Sequence, residues 1–162
     1  HAVLALLQAR GLTLATAESL TGGLVAQMLT QVPGASAVLR AGYVAYHDGA
    51  KQRDLAVPAD LLARHGAVSA EVAAAMAQGA RARAGTDTAL ATTGVAGPGD
   101  LAGPAGPIAA GTFFVAAAVA GAPTRVQRHL APVERLLVQR RAALAALDLL
   151  RRAVLGLPDP PR

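Results

Sequence analysis

The pattern of apolar and polar positions changes its period several times along the chain, and each change marks a predicted element. Apolar residues at helical spacing predict helices over residues 1–10, 24–30, 70–84 and 132–155. Shorter helices are predicted around Lys51 and before His65. A short apolar run with β-branched threonines predicts a buried strand over residues 12–18. Further strands are predicted over residues 37–45, 87–93, 111–119 and 124–131.

Residues 94–107 hold five glycines and three prolines, so they are predicted to form a long loop. Strands alternate with helices early in the chain and adjoin each other late. This order predicts an α/β protein, a three-layer α/β/α single domain with a mixed, mostly parallel sheet. The domain is expected to span residues 1–155, followed by a loose C-terminal tail over residues 156–162.

Composition narrows the class of protein. The sequence has no cysteine, which excludes disulfides, thiolate metal sites and a thiol nucleophile. No segment resembles a secretory signal peptide, and Gly, Pro or Arg interrupts every apolar stretch before the roughly 20 residues of a membrane span. We therefore expect a cytoplasmic protein that does not contact a membrane.

The net charge of +5 comes from fourteen arginines and one lysine, Lys51, set against ten acidic residues. The arginines are scattered, and four aromatic residues are too few for a surface that stacks bases. A basic but solvated surface is therefore favoured over a nucleic-acid surface. Lysine and serine are rare in this sequence, so Lys51 and the three serines are considered both as functional and as purely structural residues.

A hydroxyl and two glycines follow the first predicted strand, in the order Ser19-Leu20-Thr21-Gly22-Gly23, and lead into a helix. Ligands of open α/β sheets bind beyond the carboxyl ends of the strands, where a helix N-terminus offers free N–H groups. Ser19 is thus a candidate nucleophile beside an anion or oxyanion site. The alternative is that Ser19 or Thr21 simply caps the helix.

A serine nucleophile needs a base, and His47 and Lys51 are the candidates near a predicted loop. A lysine acts as a base only in its neutral form, which burial favours. Tyr46 and Lys51 leave the same edge of the sheet and are expected to converge, so that the tyrosine relays a proton or holds the lysine. The alternative is a surface lysine near a half-buried tyrosine.

A second glycine-rich segment, Thr93-Gly94-Val95-Ala96-Gly97-Pro98-Gly99-Asp100, also follows a buried strand. It lacks the Lys-Ser/Thr pair of a P-loop and the following helix of a dinucleotide fingerprint, so it weakly predicts a phosphate or ribose contact. Arg135, Arg140 and Arg141 are candidates for binding a phosphate, with a solvated helix face as the alternative. The histidines and acidic residues have no metal-ligand spacing, so neither a metal nor a cofactor is expected.

Taken in order, these segments resemble the CinA C-terminal family, also known as the nicotinamide mononucleotide deamidases. The strings that carry the resemblance are AESLTGG (17–23), VPGASAV (32–38), VAYHDGAK (44–51), HGAVS (65–69) and TGVAGPG (93–99). The resemblance covers roughly residues 1–155. It implies one α/β/α domain, often oligomeric, that hydrolyses nicotinamide mononucleotide to nicotinic acid mononucleotide and ammonia without a metal.

The resemblance also implies a role for each matching residue. Ser19 is the expected nucleophile, Lys51 its base and Tyr46 a proton relay. The other matching positions are expected to contact the substrate: Ser36 and Thr93 at the reacting amide or its oxyanion, Thr21, Gly22, Gly23, Gly94 and Gly97 through the loops, and Arg135 and Arg140 at the phosphate.

The sequence departs from the family pattern beside the expected base. Where the family commonly reads Tyr-Ser-Asn-Glu-Ala-Lys, this chain has His47, Asp48 and Gly49, which brings a carboxylate close to Lys51 in sequence. In the last helix, Gln139 stands where an arginine is expected.

Three functional hypotheses fit the sequence. The first is the amidohydrolase, with nicotinamide mononucleotide as its small-molecule substrate and a homo-oligomer as its assembly. The second is a non-catalytic nucleotide-binding or regulatory domain linked to competence or DNA damage. The third is an interaction protein that binds DNA, which the scattered charge disfavours.

Overall fold

The computed structural model describes residues 1–158 of the chain. Within them, helices and strands follow one another much as the sequence pattern predicts. In chain order the elements are α1 (Ala2–Ala9), β1 (Leu14–Glu18), α2 (Leu24–Thr30), a 3-10 helix (Ala35–Ala37), β2 (Leu39–Val44), α3 (Asp48–Leu55), α4 (Ala59–His65), α5 (Ala70–Ala84), β3 (Thr88–Gly94), β4 (Leu101–Gly103), β5 (Gly106–Ile108), β6 (Thr112–Val119), β7 (Arg125–Leu130) and α6 (Arg135–Leu155).

Five of the described strands form one sheet in the order β2-β1-β3-β6-β7. Strand β1 pairs in parallel with β2 and β3, whereas β6 pairs in antiparallel with β3 and β7. The predicted mixed sheet is therefore confirmed. Four of its strands run in one direction and β6 runs in the other, so that parallel and antiparallel pairings are equal in number. Strand β6 runs back along β3 because no helix crosses over between them.

Helices cover both faces of the sheet, which confirms the three-layer arrangement. On one face, α1, α2 and α6 pack on larger side chains such as Leu14 of β1 and Leu90 of β3. On the other face, α3, α4 and α5 pack on a floor of alanines that includes Ala17 of β1 and Ala91 of β3. Strand β1 is buried along its whole length because helices cover it on both sides.

Residues 94–107 are not only the long loop that the sequence predicts, because β4 and β5 form a small antiparallel hairpin there. The hairpin leaves the sheet after β3 and returns to it at β6. Two backbone bonds close its base, from Val95 N to the Thr112 carbonyl and from Gly111 N to the Val95 carbonyl, each 2.8 Å long. Many glycines and prolines permit this hairpin, whose strands are too short to show an alternating pattern.

One glycine lets α3 rest directly on α5. A Cβ atom added at Gly79, inside α5, would lie 1.9 Å from the Leu55 carbonyl oxygen at the end of α3. Only the missing side chain allows this approach, although glycine costs a helix about 1 kcal/mol relative to alanine. The contact fixes the position of α3, which carries Lys51.

Beyond α6, the carbonyls of Leu157 and Pro158 accept hydrogen bonds from Arg125 and Arg152. Residues 159–162 of the predicted loose tail lie outside the described residues. No helix among residues 1–158 is both long enough and apolar enough to cross a membrane.

Candidate active site

A cavity of about 380 Å³ opens beyond the carboxyl ends of β1 and β3. Three elements of the sequence-based hypothesis meet there: Ser19 after β1, Lys51 in α3, and the segment that begins at Thr93 at the end of β3. The described residues that line the cavity are Ser19, Leu20, Tyr46, Asp48, Lys51, Ala67, Val68, residues 93–101, and Arg135. Its position is the one where open α/β sheets bind ligands.

Ser19 follows β1 directly and is 8% exposed. Its backbone N–H donates to the Thr92 carbonyl at 3.0 Å, which ties the residue to β3. A tight turn follows, because Gly22 N donates to the Ser19 carbonyl at 3.1 Å. Gly22 and Gly23 then take positive φ angles of 61° and 100°, which suit glycine. The serine is thus held by the sheet on one side and by a turn on the other.

Glu18, the last residue of β1, organises the turn that carries Ser19. Its side chain is buried and accepts hydrogen bonds from the Thr21 hydroxyl at 2.7 Å and from three backbone N–H groups. Those donors are Gly23 N at 3.0 Å, Val25 N at 3.0 Å and Ala26 N at 2.8 Å. One carboxylate therefore caps α2 and closes the loop from Ser19 to Gly23.

This cap changes one expectation from the sequence. The start of α2 was expected to offer free N–H groups to an anion or an oxyanion, but Glu18 already occupies Gly23 N, Val25 N and Ala26 N. The expectation was wrong because the acid that caps the helix precedes it by several residues and lies within a strand. The Thr21 hydroxyl is also occupied, by Glu18 and by a 2.8 Å contact with Thr92.

Lys51 is buried inside the fold. Its side chain is 1% exposed, and Leu55 and α5 fix the helix that carries it. Its Nζ atom donates to the Tyr46 carbonyl at 3.3 Å and lies 3.3 Å from Asp48 Oδ1. The alternative of a surface lysine is therefore wrong, because α3 turns this side chain into the cavity wall.

Tyr46 and Lys51 do converge, but through the backbone of the tyrosine. The carbonyl of Tyr46 accepts the lysine hydrogen bond, while the residue itself is 64% exposed. His47, the other candidate base, caps α3 by accepting from Gly49 N at 3.1 Å, and does not line the cavity. Among the described candidates for the base, Lys51 is thus the one inside the cavity.

The glycine-rich segment forms the opposite wall. The Thr93 hydroxyl is buried and donates to the Ala67 carbonyl at 2.7 Å, so its oxygen lone pairs remain for a ligand. Gly94 and Gly97 line the same wall. Arg135, the first residue of α6, donates to the Gly97 carbonyl and is otherwise exposed at the rim.

The other predicted substrate contacts lie elsewhere in the single chain. Thr21, Gly22, Gly23 and Arg140 line a separate cleft of about 840 Å³ between α2 and α6. Ser36 is exposed beside a third depression, near the start of β2. The roles that the resemblance gives these residues stay predictions.

Gln139 lines the cleft and bonds to a residue that lines the cavity, a connection that its sequence position did not reveal. Its Nε2 atom donates to the Leu20 carbonyl at 2.9 Å and so ties α6 to the residue after Ser19.

The role of Glu18 was also missed, although the sequence carries one signal for it. An acidic residue at the end of an apolar strand, shortly before a helix, is costly to bury without partners.

The cavity lining carries two acidic and two basic side chains: Asp48, Asp100, Lys51 and Arg135. Asp100 accepts a hydrogen bond from Ala110 N at 2.9 Å, at the base of the hairpin. Among residues 1–158, no three His, Cys, Asp or Glu side chains cluster as metal ligands would. The side chains that line the cavity offer hydroxyls, an amine, a guanidinium and two carboxyl groups.

Comparison with known proteins places this arrangement in a family. A family model described as the CinA C-terminal domain matches residues 1–154. A CinA-like protein of Gemmatimonas aurantiaca is 49% identical over 144 residues, which make up 89% of this chain and 33% of that protein. A CinA-like protein of Myxococcus xanthus is 46% identical over 159 residues, 98% of this chain and 37% of that protein. The chain thus spans about a third of the length of these relatives.

Solved structures agree with the sequence comparison. A CinA superfamily protein from Klebsiella pneumoniae superposes with a TM-score of 0.88 at 35% identity, covering 95% of this chain and 94% of that one. The competence/damage-inducible protein CihA from Agrobacterium tumefaciens gives a TM-score of 0.86 at 33% identity, covering 95% and 92%. Because the family model covers nearly all of the chain and the fold agrees, the chain belongs to the CinA C-terminal domain family.

Proposed function

We propose that this domain is an amidohydrolase that converts nicotinamide mononucleotide and water into nicotinic acid mononucleotide and ammonia. The observation that carries the proposal is that Ser19 and the buried Lys51 line one cavity at the carboxyl edge of the sheet. A hydroxyl and an amine in one sheltered cavity suit acyl transfer. The resemblance to the deamidases supplies the identity of the substrate.

The reaction proceeds through an acyl-enzyme. Lys51, in its neutral form, takes the proton of the Ser19 hydroxyl while the serine oxygen attacks the amide carbon of the substrate. The tetrahedral intermediate then expels the amide nitrogen, which takes a proton from Lys51 and leaves as ammonia. Water attacks the resulting ester, Lys51 takes its proton, and Ser19 regains its own when the carboxylate product departs.

Arg135 is the residue we assign to the phosphate of the mononucleotide. It lies at the rim of the cavity that holds Ser19, whereas Arg140 lines the separate cleft. Its bond to the Gly97 carbonyl leaves other guanidinium donors for a phosphate. We expect Arg135→Ala to raise the KM for the mononucleotide about tenfold or more, and Arg140→Ala to raise it less.

The decisive experiment measures ammonia release from nicotinamide mononucleotide by the purified protein. Ser19→Ala should lower kcat by at least about a thousandfold, and Lys51→Ala by about a hundredfold or more. Gln52→Ala is the matched control, because Gln52 is the exposed neighbour of Lys51 on α3. Substrate binding should persist in Ser19→Ala, which calorimetry can measure.

Other outcomes would redirect the proposal. Mononucleotide binding without ammonia release from the unmodified protein would favour the non-catalytic nucleotide-binding domain. Unchanged turnover in Ser19→Ala would exclude Ser19 as the nucleophile.

We also propose that the domain forms a homo-oligomer, as the resemblance implies. Val44 and Tyr46 are 54% and 64% exposed at the end of the edge strand β2, where such a contact would cover them. Light scattering of the purified protein tests this, and a monomer at micromolar concentration would argue against it.

A further inference from the structure

The backbone of Ser19 and Leu20 has all but one of its hydrogen-bonding groups engaged. Ser19 N donates to the Thr92 carbonyl at 3.0 Å, and the Ser19 carbonyl accepts from Gly22 N at 3.1 Å. The Leu20 carbonyl accepts from Gln139 Nε2 at 2.9 Å. The remaining group is the Leu20 N–H, which has no acceptor in the part of the chain that the structure describes. A donor without a protein partner is uncommon in a residue that is only 4% exposed, so this one calls for an explanation.

The direction of the Leu20 N–H follows from the turn that carries Ser19. The Ser19 carbonyl points into the turn, towards Gly22 N. The peptide bond between Ser19 and Leu20 is trans, so its carbonyl and its N–H point in opposite directions. The N–H therefore points out of the turn. The Leu20 side chain belongs to the hydrophobic cluster that α6 covers, yet the residue lines the cavity beside Ser19.

The other donors expected for an oxyanion on this side of the cavity are engaged or lie elsewhere. The N–H groups at the start of α2 donate to Glu18. The Thr93 hydroxyl has one proton and donates it to a backbone carbonyl. The Thr21 N–H is also without an acceptor among the described residues, but Thr21 lines the separate cleft. The backbone donor that remains beside Ser19 is the Leu20 N–H.

We propose that the Leu20 backbone N–H donates a hydrogen bond to the oxyanion that forms when Ser19 attacks the substrate amide. In that step the serine oxygen bonds to the amide carbon, the serine proton passes to Lys51, and the π electrons of the carbonyl become a negative charge on its oxygen. A fixed N–H beside that oxygen stabilises the transition state more than the uncharged amide. The reaction rests on the proposed function, whereas the free N–H does not.

The turn tolerates a substitution that removes this donor. Its closing bond runs from Gly22 N to the Ser19 carbonyl, and neither of its central residues, Leu20 and Thr21, has a positive φ. These are the features of a type I turn, in which proline is favoured at the first central position. Leu20→Pro therefore deletes the N–H and keeps the turn.

Kinetics of ammonia release from nicotinamide mononucleotide provide the first measurement. Leu20→Pro should lower kcat about a hundredfold or more and change KM by less than about threefold, because the donor acts mainly in the transition state. Leu20→Ala is the matched control, since it removes more of the buried side chain but retains the N–H, and its kcat should stay within about threefold of the original. Urea unfolding verifies that both variants are folded.

A boronic acid tests the donor without ammonia release. The boron of pyridine-3-boronic acid accepts the Ser19 oxygen and becomes tetrahedral, so that one boron-bound oxygen takes the place of the oxyanion. In protein labelled with ¹⁵N-leucine, the Leu20 amide is identified as the signal that Leu20→Ala removes. Its proton resonance should shift downfield when the adduct forms, and should not move when the boronic acid is added to Ser19→Ala.

The outcomes separate this inference from the proposed function. A folded Leu20→Pro variant that keeps its kcat would overturn the inference. A boronate adduct that leaves the Leu20 amide signal unmoved would overturn it too, and this result decides the question if Leu20→Pro does not fold. If the unmodified protein releases no ammonia but the adduct shifts the Leu20 amide, the proposed function fails while the oxyanion donor stands. A protein that neither releases ammonia nor forms the adduct would refute both.

Discussion

Replacing Glu18 with glutamine should strongly destabilise the protein, although the two side chains have nearly the same shape. Glu18 accepts four hydrogen bonds while 1% exposed, three on Oε2 and one on Oε1. A glutamine keeps one acceptor oxygen and places an NH₂ group at the other position. If the oxygen stays with the three donors, the amide group faces Ala26 N, and two donors meet without an acceptor.

The magnitude follows from these contacts. An unsatisfied buried donor costs about 1–3 kcal/mol, and hydrogen bonds to a neutral acceptor are weaker than those to a carboxylate by about 1 kcal/mol each. The three bonds on one oxygen do not weaken independently, so we expect a total loss of about 3 kcal/mol. For a domain of this size that corresponds to a fall in Tm of about 6–12 °C.

Urea unfolding measures the loss as a lower midpoint with an unchanged m-value. Glu71→Gln is the control, because Glu71 also lies in the first turn of a helix but is exposed and caps nothing. That variant should stay within about 0.5 kcal/mol of the unmodified protein. A loss below about 1 kcal/mol in Glu18→Gln would refute the reasoning, since the four bonds would then not be holding the loop and the helix start.

Three further predictions concern the framework around the site. Gly79→Ala should lower the free energy of unfolding by more than about 2 kcal/mol despite the better helix propensity of alanine, because its Cβ would meet the Leu55 carbonyl; thermal unfolding tests this. Hydrogen bonds from the Thr13 hydroxyl and backbone N–H lower the pKa of Asp87 in the folded protein. Asp87 therefore stabilises the fold at pH values above its pKa in the unfolded chain. This stabilisation is lost as the pH falls through the pKa of Asp87 in the folded chain. Thr13→Val should thus cost about 1 kcal/mol at pH 7 and less at pH 3 in urea unfolding. Burial lowers the pKa of His129 below the ordinary histidine value of about 6.5. The free energy of unfolding should therefore fall as the pH drops below about 6.5, and His129→Phe should flatten that slope between pH 7 and pH 5.

The sequence predicted the parts of the fold that depend on local pattern. The strands that build the sheet lie within two residues of their predicted ends. For β1, β3 and β6 the physical reason is that helices cover both faces, so a buried strand needs a nearly continuous apolar run. The family resemblance implied one site for Ser19, Lys51 and Thr93, and the three residues do line one cavity. Parallel strands deliver their carboxyl ends to the same edge, so that convergence follows from topology.

What the sequence could not predict depends on where the chain turns between elements. Glu18 reads as part of a strand, and its four donors meet it only because the turn at Gly22 and Gly23 folds back over it. From the sequence alone, Gly79 only lowers the helix propensity of α5. Its role becomes clear when the structure shows the end of α3 packed directly against it. Arg135 and Arg140 look interchangeable in sequence, yet five residues on a helix of 3.6 residues per turn face in different directions, and they line different depressions.

The hairpin of β4 and β5 has a consequence for how relatives of this domain can diverge. Both ends of the excursion are clasped at Val95 and Gly111, so its length can change without altering the register of β3 against β6. Pro98, Gly99 and Leu101 line the cavity from this excursion, whereas Ser19 and Lys51 stand on the other side. Insertions or deletions there would reshape the cavity while leaving Ser19 and Lys51, the proposed reactive pair, in place. One wall of the cavity can therefore vary among relatives without moving the residues to which the proposed chemistry is assigned.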